Sequence, residues 1–366
     1  MKIVFLGDIA LFGRASMSDN DNWMTYFRDI ETHLSNYDYV VGNLETPFSA
    51  RRKKKGAKSA FLYSDPINIE ILKRLHINAV TLANNHMFDY GSEGYELTKQ
   101  LLDASGINWF GAEGKDLKVD FHENKLAFTG WCCYSTNPQG NVNYGNYGLN
   151  ELDVSTIEYR LKEYTKEGRL NVAAIHAGIE HVNFPSLDTI SLARRLAKIG
   201  PMVFYGHHPH VAQPVEKVGE SLIAYSMGNF CFDDIYGKIT DNTPLVEMSE
   251  ANRSSFMLSV TIEKNHIVGF DIIPIYIGKD KIDVGRGITK KELDVFGDIM
   301  KNVPDEEYEN MRRLQRSEWL NQRFAKRDLK WLLKRLRLRY IKLMFTNKQN
   351  ARKYNVHVHT QLFPQS

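Results

Sequence analysis

The chain has 366 residues, 43% hydrophobic and 25% charged, ordinary values for a globular protein that exclude wholesale disorder and low-complexity architecture. At roughly 150 residues per domain there is room for two units, or for one large α/β domain with an appendage. The net charge of +3 hides a strong asymmetry along the chain, and no apolar run approaches the roughly 18 residues of a membrane span.

From the start, residues 2–7 form a short apolar run ending in Gly7-Asp8, which reads as a buried strand. It is too short for a signal peptide and lacks a cleavage site, so a cytoplasmic protein is expected. A helical pattern covers 22–35, and 38–43 is a second strand. Asp65-Pro66 places a capping carboxylate before a proline and opens a helix to about Leu75. A strand at 78–83 and a helix at 92–105, stopped by Gly106, come next. Residues 107–110 form a short strand, and 117–131 read as a hairpin turning at Glu123-Asn124. Helices at 154–167 and 186–199 then alternate with strands at 171–176 and 202–206. Later strands at 221–226, 255–263 and 267–275 suggest a mixed or second sheet, with the last two joined through Glu263-Lys264-Asn265-His266. Beyond residue 289 the pattern is helical and charged. The expected architecture is α/β: layered sheets flanked by helices over residues 1–288, with a basic helical extension over 289–366. Cys132, Cys133 and Cys231 cannot make a disulfide framework and contain no C-x-x-C pair, so they are expected as buried thiols.

Polar residues gather where the strands end, the place where open α/β sheets bind ligands. The first strand ends in Gly7-Asp8 and the second in Gly42-Asn43-Leu44-Glu45. The third ends in Asn84-Asn85-His86, followed by Asp89. Later ends carry His176-Ala177-Gly178-Ile179-Glu180-His181 and Gly206-His207-His208-Pro209-His210. Six of the twelve histidines fall in these segments. A single strand-end histidine is usually structural, but histidine at three ends beside carboxylates at two more is hard to explain by packing. Carboxylate, carboxamide and imidazole together suit a divalent metal: manganese, iron, zinc or magnesium.

In order, these motifs and Tyr225-Ser226-Met227-Gly228-Asn229-Phe230 resemble the CapA-type (poly-γ-glutamate capsule synthesis) family, which is similar to the calcineurin-like metallophosphoesterases. The resemblance covers about residues 1–275. It implies a layered metallophosphoesterase-like fold and a metal-dependent hydrolase in capsule or surface-polymer biosynthesis. A non-catalytic assembly factor and a γ-glutamyl amidohydrolase remain alternatives. It implies one or two divalent ions held by Asp8, Glu45, Asn85, His176, His208 and His210, with His86 as general acid. Asp89 either orients His86 or caps the turn at Tyr90-Gly91. Asn43 and Asn229 are candidate substrate contacts, although Asn229 fits a turn equally well. Alternation along an extended strand end would let 208 and 210 converge, leaving His207 to packing. Ala10 stands where the superfamily usually has a metal-binding histidine, so either the second site is weaker, or another group completes it, or only one metal binds.

Two basic segments complete the reading. Arg51-Arg52-Lys53-Lys54-Lys55-Gly56-Ala57-Lys58 follows Glu45 closely; such a run is usually a solvated loop, but here Lys58 and its neighbours could draw in an anionic phosphoester or polyglutamate-like substrate. Residues 312–353 hold fifteen Lys or Arg against two acids, a balance of +13, so the rest of the chain sums to −10. Apolar and aromatic residues interleave with these cations. The tail is therefore expected either to pack on the acidic body or to touch the inner face of a membrane as a basic amphipathic helix. No nucleic-acid motif is present, and no nucleic-acid partner is expected.

Overall fold

The computed structural model describes every residue except 51–59, 135, 137–140, 143–146, 237–243, 326–337 and 365–366. Alternation along the strands sets its layers. In β1 (Lys2–Ile9), Ile3 and Phe5 face one side and Val4 and Leu6 the other, all fully buried. A strand apolar on both faces needs cover on both. β2 (Tyr39–Leu44), β3 (Ala79–Thr81) and β4 (Asn108–Phe110) extend the sheet from β1 in parallel.

The hairpin of β5 (Leu117–Phe121) and β6 (Asn124–Cys132) begins a second sheet. It turns at His122-Glu123, one residue earlier than the sequence reading placed it, because Phe121 pairs with Asn124 and His122 takes the left-handed backbone (φ 51°). A small parallel pair, β7 (Asn141–Val142) and β8 (Leu149–Asn150), follows. β9 (Leu170–His176), β10 (Met202–His207), β11 (Val215–Val218) and β12 (Ser221–Ala224) then complete the second sheet in the order β11-β12-β10-β9-β6-β5. The chain returns to the first sheet with β13 (Asn229–Cys231), which pairs with β1. β14 (Ser254–Glu263), β15 (His266–Ile277) and β16 (Ile282–Val284) extend its other side antiparallel. Lys264 and Asn265, both at positive φ, make the two-residue turn whose twist suits the hairpin of β14 and β15.

The two sheets pack face to face. Ile3, Phe5 and Val41 of the first meet Phe128, Val172 and Val203 of the second in one buried cluster. Tyr205 donates a hydrogen bond across the interface to the Leu6 carbonyl. Helices cover the outer faces. α1 (Trp23–Leu34), α2 (Ile69–Arg74) and α3 (Gly91–Ala104) bury Phe27, Ile30, Leu72 and Leu102 against Val4, Val40 and Val80. α4 (Val154–Lys166) and α5 (Leu187–Leu196) bury Ile157, Leu161 and Ala193 against Ala173 and Phe204. A short α6 (Glu250–Arg253) precedes β14.

The C-terminal helices lie on this body. The Thr289–Glu292 capping box starts α7 (Lys290–Asn302), whose Leu293 enters the cluster between the sheets. Tyr308 and Arg312 of α8 (Asp305–Ala325) bond the Pro185 and Phe184 carbonyls at 2.9 and 3.1 Å. The end of α9 (Leu338–Leu362) buries Leu362 among the residues of α4 and α5. No helix among the described residues is long and apolar enough to cross a membrane.

Candidate metal centre

The strand ends of both sheets meet at one point. Asp8 is the penultimate residue of β1 and fully buried. Gly7, just before it, is required by a close approach, since a Cβ there would lie 2.1 Å from the Gly228 carbonyl oxygen. That carbonyl accepts the Asp8 N–H at 3.0 Å, so the turn before β13 fixes the Asp8 backbone.

Asp8, Glu45 and His210 offer ligand atoms that all lie within 4.8 Å of one another. His210 Nδ1 is 3.3 Å from Asp8 Oδ2, and its Nε2 is 3.6 Å from Glu45 Oε1. The same Glu45 oxygen is 3.8 Å from His176 Nε2, which contacts Asn85 Oδ1 at 3.0 Å. His208 stacks obliquely near His176, with ring centroids 4.9 Å apart. Glu45 thus stands between two donor groups, one with Asp8 and His210, the other with Asn85, His176 and His208.

The electrostatics suit a cation. Burial would raise the Asp8 carboxyl, but hydrogen bonds and charge from His207 and His210 outweigh it and hold the group well below the usual carboxylate range. Burial lowers His210, yet the charge of Glu45 and the carboxylate of Asp8 push it up to about 10, so without a cation a proton on this imidazole balances the two acids. Burial keeps His176 well below its ordinary value, with His208 adding to the effect. Burial likewise brings His208 down to about 4. Both rings are neutral at physiological pH, the state a metal requires. Among the described residues His208 Nδ1 is buried and makes no hydrogen bond, and Asp8 Oδ2 meets only His210 Nδ1, at 3.3 Å. A buried orphan of this kind, in a mixed oxygen and imidazole donor set, fits a divalent ion.

The convergence of 208 and 210 does not come from strand alternation. β10 ends at His207, and His208 and His210 take positive φ values of 97° and 57°, so a looped backbone turns both rings inward. His207 is packed as expected, its ring 4.0 Å from that of Tyr205, but it also points at the centre and contacts Asp8 Oδ1 at 2.9 Å. Asn43 lies fully buried beneath the donors rather than at the cleft wall; its Nδ2 donates to Asp8 Oδ1 at 2.8 Å, and its Oδ1 accepts from Asn84 at 3.1 Å. Position 10 carries a methyl group buried with Leu62, Phe232 and Ile277, so an apolar cluster occupies the place of the missing histidine.

A cleft of about 270 Å³ opens beside the centre and is walled in part by His86, Glu180, His181, His210, Asn229 and Asn252. His86 Nδ1 contacts Asp89 Oδ2 at 2.7 Å, and Asp89 also accepts the Leu62 N–H at 2.8 Å, so the buried carboxylate orients the ring and anchors the loop preceding α2. Asn229 Oδ1 contacts His210 Nδ1 at 2.9 Å. Lys58 lies outside the described residues. Sequence reasoning passed over Asn84, whose Nδ2 bonds Asn43 and the Leu44 carbonyl and whose Oδ1 accepts the His86 and Met87 N–H groups. It also passed over Asn252, a capping-box residue of α6 with no motif signal, whose Nδ2 donates to the His210 carbonyl at 2.9 Å.

Known proteins resemble this chain over most of its length. The PGA biosynthesis protein CapA of Bacillus subtilis is 27% identical over 292 residues, covering 75% of this chain and 70% of its own. The capsule biosynthesis protein CapA of Bacillus anthracis is 28% identical over 308 residues, covering 79% and 73%. The family model for the bacterial capsule synthesis protein PGA_cap matches residues 2–234, which contain every candidate ligand described above. With well over half its length matched by that model, the chain belongs to the PGA_cap family of bacterial capsule synthesis proteins.

Proposed function

We propose that this chain is a divalent-metal-dependent hydrolase of phosphoester bonds, acting on an anionic substrate in capsule or surface-polymer biosynthesis. The observation that carries the reading is the shared position of Glu45 between two buried donor groups, with the His86–Asp89 pair at the adjoining cleft. One ion would be held by Asp8, Glu45 and His210, a second by Glu45, Asn85, His176 and His208. Bound there, such ions supply charge neutralisation and a water of lowered pKa. The chain's own residues do the rest. Asp89 holds the His86 ring by Nδ1, so His86 delivers its proton to the leaving group from Nε2. His207 and Asn43 fix the Asp8 carboxylate from two sides. Asn229 and Asn252 fix the His210 loop. The names of the Bacillus relatives support placement in polymer biosynthesis, and the charge of the 51–58 run supports an anionic substrate.

The test is elemental analysis of metal-replete protein together with a manganese-supplemented panel of phosphoesters and γ-glutamyl peptides. One or two ions per chain and turnover of phosphoesters are expected. No uptake at micromolar metal, or turnover confined to the peptides, would sink the reading.

A further inference from the structure

The cleft wall contains a histidine that the reading above leaves unused. His181 follows β9 by five residues and takes a left-handed backbone, φ 63°, with its N–H donated to the Pro209 carbonyl at 2.8 Å. Such a conformation costs free energy in a residue with a Cβ and persists only where surrounding contacts impose it. Two contacts do so here.

The first is Asn252. Its Oδ1 accepts from the Ser249 N–H at 3.1 Å and the Ser249 hydroxyl at 2.7 Å, while its Nδ2 donates to the His210 carbonyl at 2.9 Å. Those partners fix which end of the amide is which, because the reverse orientation would set oxygen against oxygen at His210 and nitrogen against the Ser249 N–H. The remaining Nδ2 hydrogen faces His181 Nδ1, 2.9 Å away. Nδ1 also lies 3.2 Å from Asn252 Oδ1, but that oxygen already accepts twice from Ser249 and the contact is the longer one. His181 Nδ1 therefore accepts from Nδ2, and Nε2 carries the ring proton, 3.9 Å from Glu180 Oε2. The second contact is Trp319 of α8, whose ring stacks on His181 at a centroid distance of 4.3 Å and an angle of 18°. Gln315, one turn earlier, bonds the Asn183 N–H at 3.0 Å and the Asn183 side chain at 2.7 Å. A helix far outside the family-matched region thus clamps the loop that carries His181.

From this geometry we infer that His181 is a substrate-binding residue, held as the Nε2–H tautomer between Asn252 and Trp319 so that it donates a hydrogen bond to a phosphoryl oxygen in the cleft. The inference rests on the phosphoester reading. Trp319 and Asn252 are positioning residues: they act through the imidazole.

The experiment measures binding of inorganic phosphate to manganese-loaded protein by calorimetry, alongside phosphoester kinetics, for wild type, His181→Ala, His181→Gln, Trp319→Ala and Trp319→Phe. Losing one hydrogen bond to a charged oxygen should weaken phosphate binding about tenfold in His181→Ala, raising KM by a similar factor with kcat little changed. His181→Gln, which keeps an N–H at the same reach, should recover most of the loss. Trp319→Phe should stay near wild type, and Trp319→Ala should fall between. Manganese stoichiometry should be the same throughout. Phosphate affinity in His181→Ala within twofold of wild type, or absence of phosphate binding in wild type, overturns the inference, as does loss of manganese in His181→Ala. Wild type that binds phosphate through His181 but turns over no phosphoester leaves the inference standing and removes the hydrolase reading instead.

Discussion

His86 and Asp89 show how much one contact can decide. The 2.7 Å pair fixes the imidazole by Nδ1, and both side chains are nearly or fully buried at the cleft edge. His86→Ala should lower turnover by roughly 10²–10⁴-fold, the range for general acid-base catalysis, with metal content unchanged. Asp89→Asn should lower it less, because the ring stays but loses its charged partner. Metal analysis beside steady-state rates checks both, and metal lost together with activity would place His86 among the ligands. The neighbouring histidines mark what could be read in advance. Their presence at strand ends was plain, but the left-handed turns of His208 and His210 were not, because no residue pattern announces positive φ at a non-glycine. Nor did sequence disclose that His207 would reach Asp8, since that contact depends on how the two sheets meet.

Among the elements, α9 docks through a half-buried carboxylate that should make the contact sensitive to pH. Asp153 caps α4 by accepting the Thr156 N–H at 2.9 Å, and it also accepts from Gln361 of α9 at 2.7 Å. Gln361 in turn accepts the Val154 N–H at 3.1 Å, and its carbonyl accepts from Arg195. Burial would raise the Asp153 carboxyl, but hydrogen bonds from Ser155, Gln361 and Thr156 outweigh it and hold the group well below the usual carboxylate range. A carboxyl depressed in the folded state contributes stability above its unfolded value and loses it as pH falls below that value. Docking of α9 should therefore hold at pH 5 and weaken below about pH 4, seen as faster hydrogen exchange in residues 350–362 while β9 stays protected. Asp153→Asn should loosen the same segment at neutral pH and flatten the pH response. The alternation of strands and helices was legible because each element carries its own period and caps, as Asp65-Pro66 and Thr289 do. The contacts between distant elements were not: nothing near Asp153 in the chain points to Gln361.

At the scale of the whole molecule, charge and topology each have a consequence. The +13 balance of residues 312–353 against a body of −10 supports a proposed salt-sensitive association with anionic membranes through the tail. Co-sedimentation with phosphatidylserine vesicles should be measurable at low salt and lost at high salt. Replacing the Lys and Arg residues of 326–337 by Gln should abolish it while sparing α8 and its contact with His181; no binding at low salt would remove the membrane proposal. Topology bears on how the protein is made. The second sheet is built entirely from residues 117–224, inserted between the two parts of the first. β1 gains one neighbour early, since Ile3 pairs with Tyr39, but the other flank waits for β13 at Asp8 and Ile9 and for β14 along Lys2–Phe5, where Lys2 pairs with Thr261. At roughly 5–20 residues per second of synthesis, that flank stays open on the ribosome for on the order of ten to fifty seconds. During that time an apolar edge able to recruit foreign strands is exposed, and the nascent chain has the profile of a chaperone client. The family-matched region ends at residue 234, so a fragment cut to that boundary would contain every proposed ligand and β13, and still lack β14, the strand that covers Lys2–Phe5 of β1.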